Sequence, residues 1–450
     1  MIATAEKTKL PPRWTTLRPH REQLRFYNSA KRFNICPAGR RSGKSERAKR
    51  RHIRKALRFT THPDGWFVFG APTHLQAKRI FWRDIKAFTP KHLIVGTPSE
   101  SELSIRLWNG ATMQVMGMDQ PSRVEGPPLD SILMDEFGNM RQEVWTEHVR
   151  PALSTPGRLG EADFIGVPEG RNHYYDLSLD AQANKTGEWG YFHWKSEEIL
   201  DAGEIAVAKS ELDERTYKQE YEGSFESYDG LVYYSFTRDN VVERLPYDHN
   251  SDLHLCFDFN VTPGTATAIQ EFRPDEIETL DKAKKLTELL TCVIEEFYIS
   301  KNSNTLLICT KIIDRFKDHK GLIFLHGDAT GGAGGSAKVM GSDWDLITRS
   351  LKVVFGDQLR NRVPSSNPRE RVRVNAVNSR IKSSDGTLGL LVDPKCRFTV
   401  KDMEGTPSDG AGGIDKKSAP MLSHLSDEIG YYIHSAYPIR RHVTTTVSAF

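Results

Sequence analysis

A chain of 450 residues is longer than one ordinary hydrophobic core supports, so two or three domains are expected. Hydrophobic residues at 38% and charged residues at 27% exclude wholesale disorder, and no stretch approaches the roughly 18–20 consecutive apolar residues of a membrane helix. The net charge of +3 conceals 62 basic against 59 acidic residues, so the mean charge says little about partners. Cys36, Cys256, Cys292, Cys309 and Cys396 are odd in number and never spaced as CxxC, which points to small buried apolar residues, not to disulfides or zinc ligands. The first residues lack the apolar core of a signal peptide, and a cytoplasmic protein is expected.

The first half alternates short apolar runs at 33–36, 66–70, 131–134 and 163–166 with helix-like segments, which predicts an α/β domain with a mainly parallel sheet. After the first run comes Ala38-Gly39-Arg40-Arg41-Ser42-Gly43-Lys44-Ser45, opening a basic helix. This is the setting of a P-loop: backbone N–H groups cradle phosphates, Lys44 reaches the β- and γ-phosphates, and the Ser45 hydroxyl ligates Mg²⁺. The strict pattern has glycine where this chain has Ala38, and the bland alternative is a glycine turn beside a helix.

The run 131–134 ends in Asp135 and Glu136, the pattern of a strand whose first acid holds the Mg²⁺ shell and whose second activates the attacking water. Hydrolysis also calls for positive charge on the transition state; Arg40, Arg41 and Arg123 are candidates, Arg123 as a finger acting on a neighbouring subunit, and each could equally be a solvated or DNA-facing charge. The boundary between domains is expected near 223–230, giving domains over 1–225 and 226–450.

In the second half, runs at 253–259, 265–272 and 289–298 predict an antiparallel meander, followed by a strand at 322–325 and then helices. Three acids could converge on two divalent metals: Asp258 late in the first strand, Asp328 after the fourth, and Asp427 in a helix predicted over 421–432, where His424 shares its face. Singly each is an ordinary turn or surface residue; together they fit an RNase H-like nuclease domain with a mixed sheet. Glu295 and Glu296 are substitutes should Asp328 lie too far away, and the glycine-rich stretch 331–335 could form a loop over a substrate.

Taken together, 36–45, 133–137 and 165–175 resemble the large terminase subunit of tailed double-stranded DNA bacteriophages, which packages DNA into a preformed capsid and cuts it. The resemblance implies an N-terminal P-loop ATPase of the ASCE type joined to an RNase H-like nuclease, with 165–175 as coupling motif and 217–225 closing the ATPase region. Carried over by residue, it implies nucleotide binding by Gln23 at the adenine and by Gly39, Arg40, Arg41, Ser42, Gly43, Lys44 and Ser45 in the loop. It further implies Mg²⁺ at Ser45 and Asp135, hydrolysis by Glu136 with Arg123, and two Mg²⁺ or Mn²⁺ ions on Asp258, Asp328 and Asp427 beside His424. The implied partners are double-stranded DNA, a portal protein and a small terminase subunit. Subunits would form a ring, commonly of five, docked on the procapsid in the host cytoplasm and absent from the mature virion, with no membrane contact.

Contact with duplex phosphates is sequence-independent and needs basic groups. Arg47, Lys49, Arg50, Arg51, Arg54, Lys55 and Arg58 crowd the helix after the loop and are expected to face DNA, a neighbouring subunit or solvent, and Arg369, Arg371, Arg373, Arg380 and Lys382 cluster in the second half, available for DNA contact. The competing readings are a helicase-like ATPase fused to a repair nuclease, and an ATPase whose second half is a docking module. The basic tail 437–442 could reach the portal or stay disordered.

Overall fold

A computed structural model describes residues 19–226, 230–258, 263–281, 283–300, 303–329 and 343–439. The chain divides into two compact units, one of residues 1–205 with 218–226 and one of residues 206–217 with 227–450. The glycine-rich stretch 331–335 and tail residues 440–442 lie outside the described residues. No helix among the described residues is long and apolar enough to cross a membrane.

The first unit is built on eight strands: β1 (Phe33–Pro37), β2 (Trp66–Ala71), β3 (Ile94–Ser99), β4 (Ser104–Leu107), β5 (Thr112–Gly117), β6 (Ser131–Asp135), β7 (Glu161–Gly166) and β8 (Trp189–Tyr191). Their order is β3-β4-β5-β2-β6-β7-β1-β8, parallel from β5 to β8, with β3 and β4 antiparallel at one edge. β1 and β6 are buried along their whole length, as expected of apolar strands covered on both faces. β7 separates β1 from β6, the ASCE arrangement. The β3–β4 hairpin was not legible in the sequence, because the polar run from Thr97 to Glu102, with Pro98 among it, reads as a loop; β3 is an edge strand, where proline removes no needed hydrogen bond.

The helix Lys44–Arg58 corrects one expectation. Its basic residues turn largely inward: Arg51 donates to Asp163 on β7 and to the Tyr27 and Ser29 carbonyls, Lys49 pairs with Asp84, and Lys55 with Glu161 and Asp163. Arg54 donates to the Tyr27 carbonyl and Arg50 to Glu46, leaving Arg58 as the exposed cation of the group. The helix is therefore fastened to its own sheet by buried charge pairs.

The second unit is a six-stranded sheet of β9 (Leu253–Asp258), β10 (Gly264–Phe272), β11 (Leu286–Ile299), β12 (Ile323–Gly327), β13 (Leu359–Asn361) and β14 (Leu388–Val392), in the order β13-β12-β9-β10-β11-β14. β9, β10 and β11 form the expected antiparallel meander; β12 pairs parallel with β9 and β13 parallel with β12. That is the RNase H-like order, with β14 added in parallel beside β11. Helices Thr305–Phe316 and Asp343–Phe355 pack with Leu253, Leu255 and Phe257 on one face, and Glu370–Ile381, Arg397–Gly405 and His424–Ala436 pack with Cys256 on the other. All five cysteines are free and buried. Of the second basic cluster, Arg373 and Arg380 are interior, the latter donating to Thr291, whereas Arg369 and Lys382 are exposed.

A histidine pair crosses this sheet: His254 Nδ1 lies 3.1 Å from His326 Nε2, with Tyr432 against both rings. Burial pushes His254 down to about 4 and His326 down to about 3. The unfolded chain takes up these protons near pH 6.5 and the folded one does not, so stability falls as pH drops from 6.5 toward 4. The expected loss is roughly 2–3 kcal/mol per histidine at pH 4.5. Unfolding midpoints of the second unit measured between pH 7 and 4.5 should show it, with a flatter profile in His326→Leu.

Candidate active sites

In the first unit the turn after β1 carries the phosphate-loop residues. Ala38, the residue after β1, still takes part in pairing: its N–H donates to the Gly166 carbonyl and it bridges to Trp194, so glycine is not needed there. The need falls one residue later, since a Cβ on Gly39 would meet the Tyr221 carbonyl oxygen at 2.3 Å, and Gly43 turns into the helix at φ +76°. The Ser42 carbonyl is held by Gln23 Nε2 at 2.8 Å and by Trp194 Nε1 at 3.0 Å, and the Ser42 hydroxyl donates to the Gly39 carbonyl at 2.6 Å. Lys44 lies across this loop, buried, with Nζ 3.4 Å from the Gly39 carbonyl. The first N–H groups of the helix have no preceding turn to bond to and face the loop.

β6 delivers its acids to the same place. Asp135 is buried and accepts a hydrogen bond from the Ser45 hydroxyl; burial, then the charge of Glu136, push its carboxyl up to about 6 against the pull of Lys44. A serine hydroxyl on a buried carboxylate that is short of positive charge is a donor set that fits Mg²⁺. Glu136 leaves the strand at φ 55° with its N–H on Asp135 Oδ1, 2.9 Å away, which turns its side chain away from the sheet run.

Gln23, expected at the adenine, has its amide nitrogen committed to the loop and acts as a brace. Arg40 donates through Nε to the Glu220 carboxylate and through its backbone N–H to the Glu220 carbonyl at 2.5 Å, so these two donors point to the 218–226 segment. Arg41 takes the left-handed φ of 55°. Arg123 sits exposed in the short turn Pro121–Val124. Beyond β7, Asn172 Nδ2 donates to the Gly138 carbonyl at 2.8 Å, the His173 ring meets the Phe137 carbonyl at 3.2 Å, and the Gly170 N–H donates to Gln219 at 3.2 Å. The 165–175 segment thus joins the exit of the Glu136 strand to the 218–226 segment.

In the second unit Asp258 ends β9 and Asp328 follows β12, its parallel neighbour, where Gly327 stands opposite Phe257. Asp427 comes from the first turn of the helix His424–Ala436. All three carboxylates act on the Tyr431 phenol through their charge: its proton is held more tightly by burial first, and then, against the opposing charge of Arg373, by Asp328, Asp427 and Asp258. His424 Nδ1 lies 3.2 Å from Asp258 Oδ2 while its Nε2 meets the Pro420 carbonyl at 3.0 Å, and Asn367 donates to Asp328 at 2.7 Å. The helix over 424–436 starts three residues later than the predicted 421, because Ser423 takes a left-handed φ of 77° and the buried Asp402 carboxylate accepts the N–H groups of Leu425 and Ser426. Glu295 is tied to Arg315 and Lys395, and Glu296 caps the helix Arg397–Gly405 through the Phe398 and Thr399 N–H groups, so neither substitutes for Asp328.

Oxygen-only donors suit Mg²⁺ or Mn²⁺. Yet as the side chains stand, no group of three His, Cys, Asp or Glu among the described residues is arranged to hold an ion. Asp427 shows why. One oxygen accepts from Arg373 Nη2 at 2.5 Å and the other from Lys416 Nζ at 2.8 Å.

Comparison with known proteins places the chain. Residues 35–238 match the family described as terminase large subunit, T4likevirus-type, N-terminal. Over those residues the chain resembles the N-terminal part of terminase large subunits. The large subunit of Thermus phage G20c is 25% identical over 296 residues, 58% of this chain and 56% of that protein, and that of Escherichia phage T5 is 24% identical over 244 residues, 52% of each. The matches thus span little more than half the length of these relatives. The large terminase of the thermophilic bacteriophage D6E shares the fold at a TM-score of 0.54 and 15% identity, covering 92% of this chain and 98% of that one; it has also been solved with ADP and with ATP-gamma-S.

Within this terminase frame, three residues of the second unit escape a reading of motifs. Lys416 and Arg373 bind Asp427, and Glu428, wholly buried beside it, faces Thr265 and Thr267 across from Asp258 and Cys256. Burial holds the Glu428 proton far more tightly than usual. Their only signal in sequence is a charge without an obvious partner, and the partners of Lys416 and Arg373 lie 11 and 54 residues away.

Proposed function

We propose that the chain is an ATP-driven translocase of double-stranded DNA that also makes metal-dependent endonucleolytic cuts, with residues 1–225 as motor and 226–450 as nuclease. The observation that carries the motor is the meeting of Lys44, Ser45 and Asp135 at the mouth of the 38–45 loop. Lys44 and the helix N–H groups bind the β- and γ-phosphates, Ser45 and Asp135 hold Mg²⁺, and Glu136 orients the attacking water and takes its proton. Arg123, exposed on its turn, serves a neighbouring subunit of a ring of five. The 165–175 segment, hydrogen-bonded to both the Glu136 exit and Gln219, carries the nucleotide state to the 218–226 segment, and hence to DNA grip. The solved nucleotide complexes of the D6E terminase support this use of the fold.

For the nuclease, Asp258, Asp328 and Asp427 would hold two Mg²⁺ or Mn²⁺ ions, which supply an activated water and stabilise the leaving oxygen. His424 orients Asp258, and Tyr431 keeps the three carboxylates against one wall. The portal, a small terminase subunit and concatemeric phage DNA in the host cytoplasm are the partners of this reading.

Cleavage of supercoiled plasmid by the full chain with Mg²⁺ or Mn²⁺ tests it. Asp258→Asn is expected to reduce cutting at least 100-fold while ATP hydrolysis stays within twofold of the parent, with estimates of this order for loss of a metal-held nucleophile. Cutting that survives Asp258→Asn, or that disappears in Glu136→Gln, would sink the division of labour.

A further inference from the structure

Asp427 is 3% exposed and carries two cations from its own chain, and the two differ in kind. Arg373 is fixed: its side chain is 6% exposed, lies over the Tyr431 ring at 4.4 Å, and presses so closely on the helix that a Cβ on Gly430 would stand 2.9 Å from its Cγ. Lys416 is not. Its side chain is 55% exposed and comes from the loop 409–420, where Gly410 and Gly412 take left-handed φ values of 77° and 89°. The loop is tethered at its base, by Glu370 accepting the Ile414 N–H at 2.8 Å and by the Asp415 N–H on the Pro407 carbonyl at 2.9 Å, which brings the ammonium to Asp427 without locking its long stem. The same ammonium also faces the charges of Asp258 and Glu370.

An ammonium is a compact point charge with three donors, and like a hard divalent cation it binds carboxylate oxygen. We propose that Lys416 is the built-in counter-cation of the candidate nuclease site, holding Asp427 in place of a divalent ion and competing with it. The inference rests on the reading of Asp258, Asp328 and Asp427 as metal ligands. Arg373 orients Asp427 whichever cation occupies its second oxygen, and Lys416 sets how much metal is needed to occupy it.

The test is a titration of the full chain with Mn²⁺, reading free ion by electron paramagnetic resonance, in an Asp135→Asn background that removes the motor's metal. Lys416→Met is expected to lower the Mn²⁺ dissociation constant at least tenfold, and Lys416→Arg, which keeps the charge, to leave it within threefold of the parent. Equal or weaker binding in Lys416→Met overturns the proposal. Adding Asp258→Asn to Lys416→Met separates the two ideas: loss of the tight site upholds the carboxylates as ligands, whereas unchanged binding overturns that reading and the role of Lys416 with it.

Discussion

Glu136→Gln is expected to slow ATP hydrolysis by about 10²- to 10⁴-fold, the range for loss of a positioned general base. Binding of nucleotide with Mg²⁺ should persist, because the groups that hold it are elsewhere: Lys44 within the loop, and Ser45 on Asp135. Glutamine keeps the size and the left-handed turn at this position but cannot take a proton. Asp135→Asn should behave differently, weakening Mg²⁺-dependent nucleotide binding itself, since this carboxylate is buried against Ser45. Steady-state phosphate release alongside fluorescent nucleotide titration distinguishes the two. Retained hydrolysis in Glu136→Gln would move the base to another acid near the loop.

Arg51→Met should destabilise the first unit by about 3–5 kcal/mol, the cost of breaking a buried ion pair by removing one partner. Arg51 is 1% exposed and Asp163 fully buried; the guanidinium also donates to the Tyr27 and Ser29 carbonyls at 2.9 Å each, so its loss strips a donor from the Ser29 carbonyl, leaves the Tyr27 carbonyl to Arg54 and leaves Asp163 to Asn34 and Lys55. Although burial alone would raise it, Arg51 and then Lys55 hold the Asp163 carboxyl well below the usual range. The pair therefore stabilises the fold above the unfolded carboxylate pKa of about 3.9, and its contribution fades as pH falls below that value. Chemical unfolding, with the transition of the first unit identified by its shift on adding ADP and Mg²⁺, measures the loss. Arg51→Met combined with Asp163→Leu should recover part of it, because no charge is then left unpaired; a single variant costing under 1 kcal/mol would show that Lys55 alone satisfies Asp163.

What the sequence by itself determined is what rests on neighbours along the chain. β1 leading into Gly39–Ser45, and β6 ending in Asp135 and Glu136, are legible because an apolar run, a glycine turn and a strand-end acid are local patterns. The β9–β10–β11 meander and the helix bearing His424 and Asp427 are legible for the same reason. What only the tertiary structure decided concerns where charges find their partners. Arg51 and Asp163 are 112 residues apart, Lys49 and Asp84 35, and a run of lysines and arginines on one helix says nothing of acids waiting on distant strands, so a helix that looked made for DNA proves to be bolted to its own sheet. The same holds for Arg373 and Lys416 on Asp427, and for Glu296, a strand-end acid spent on capping a helix a hundred residues later. A buried charge is tolerable only when paired, and pairing is settled by the packed fold and not by spacing along the chain.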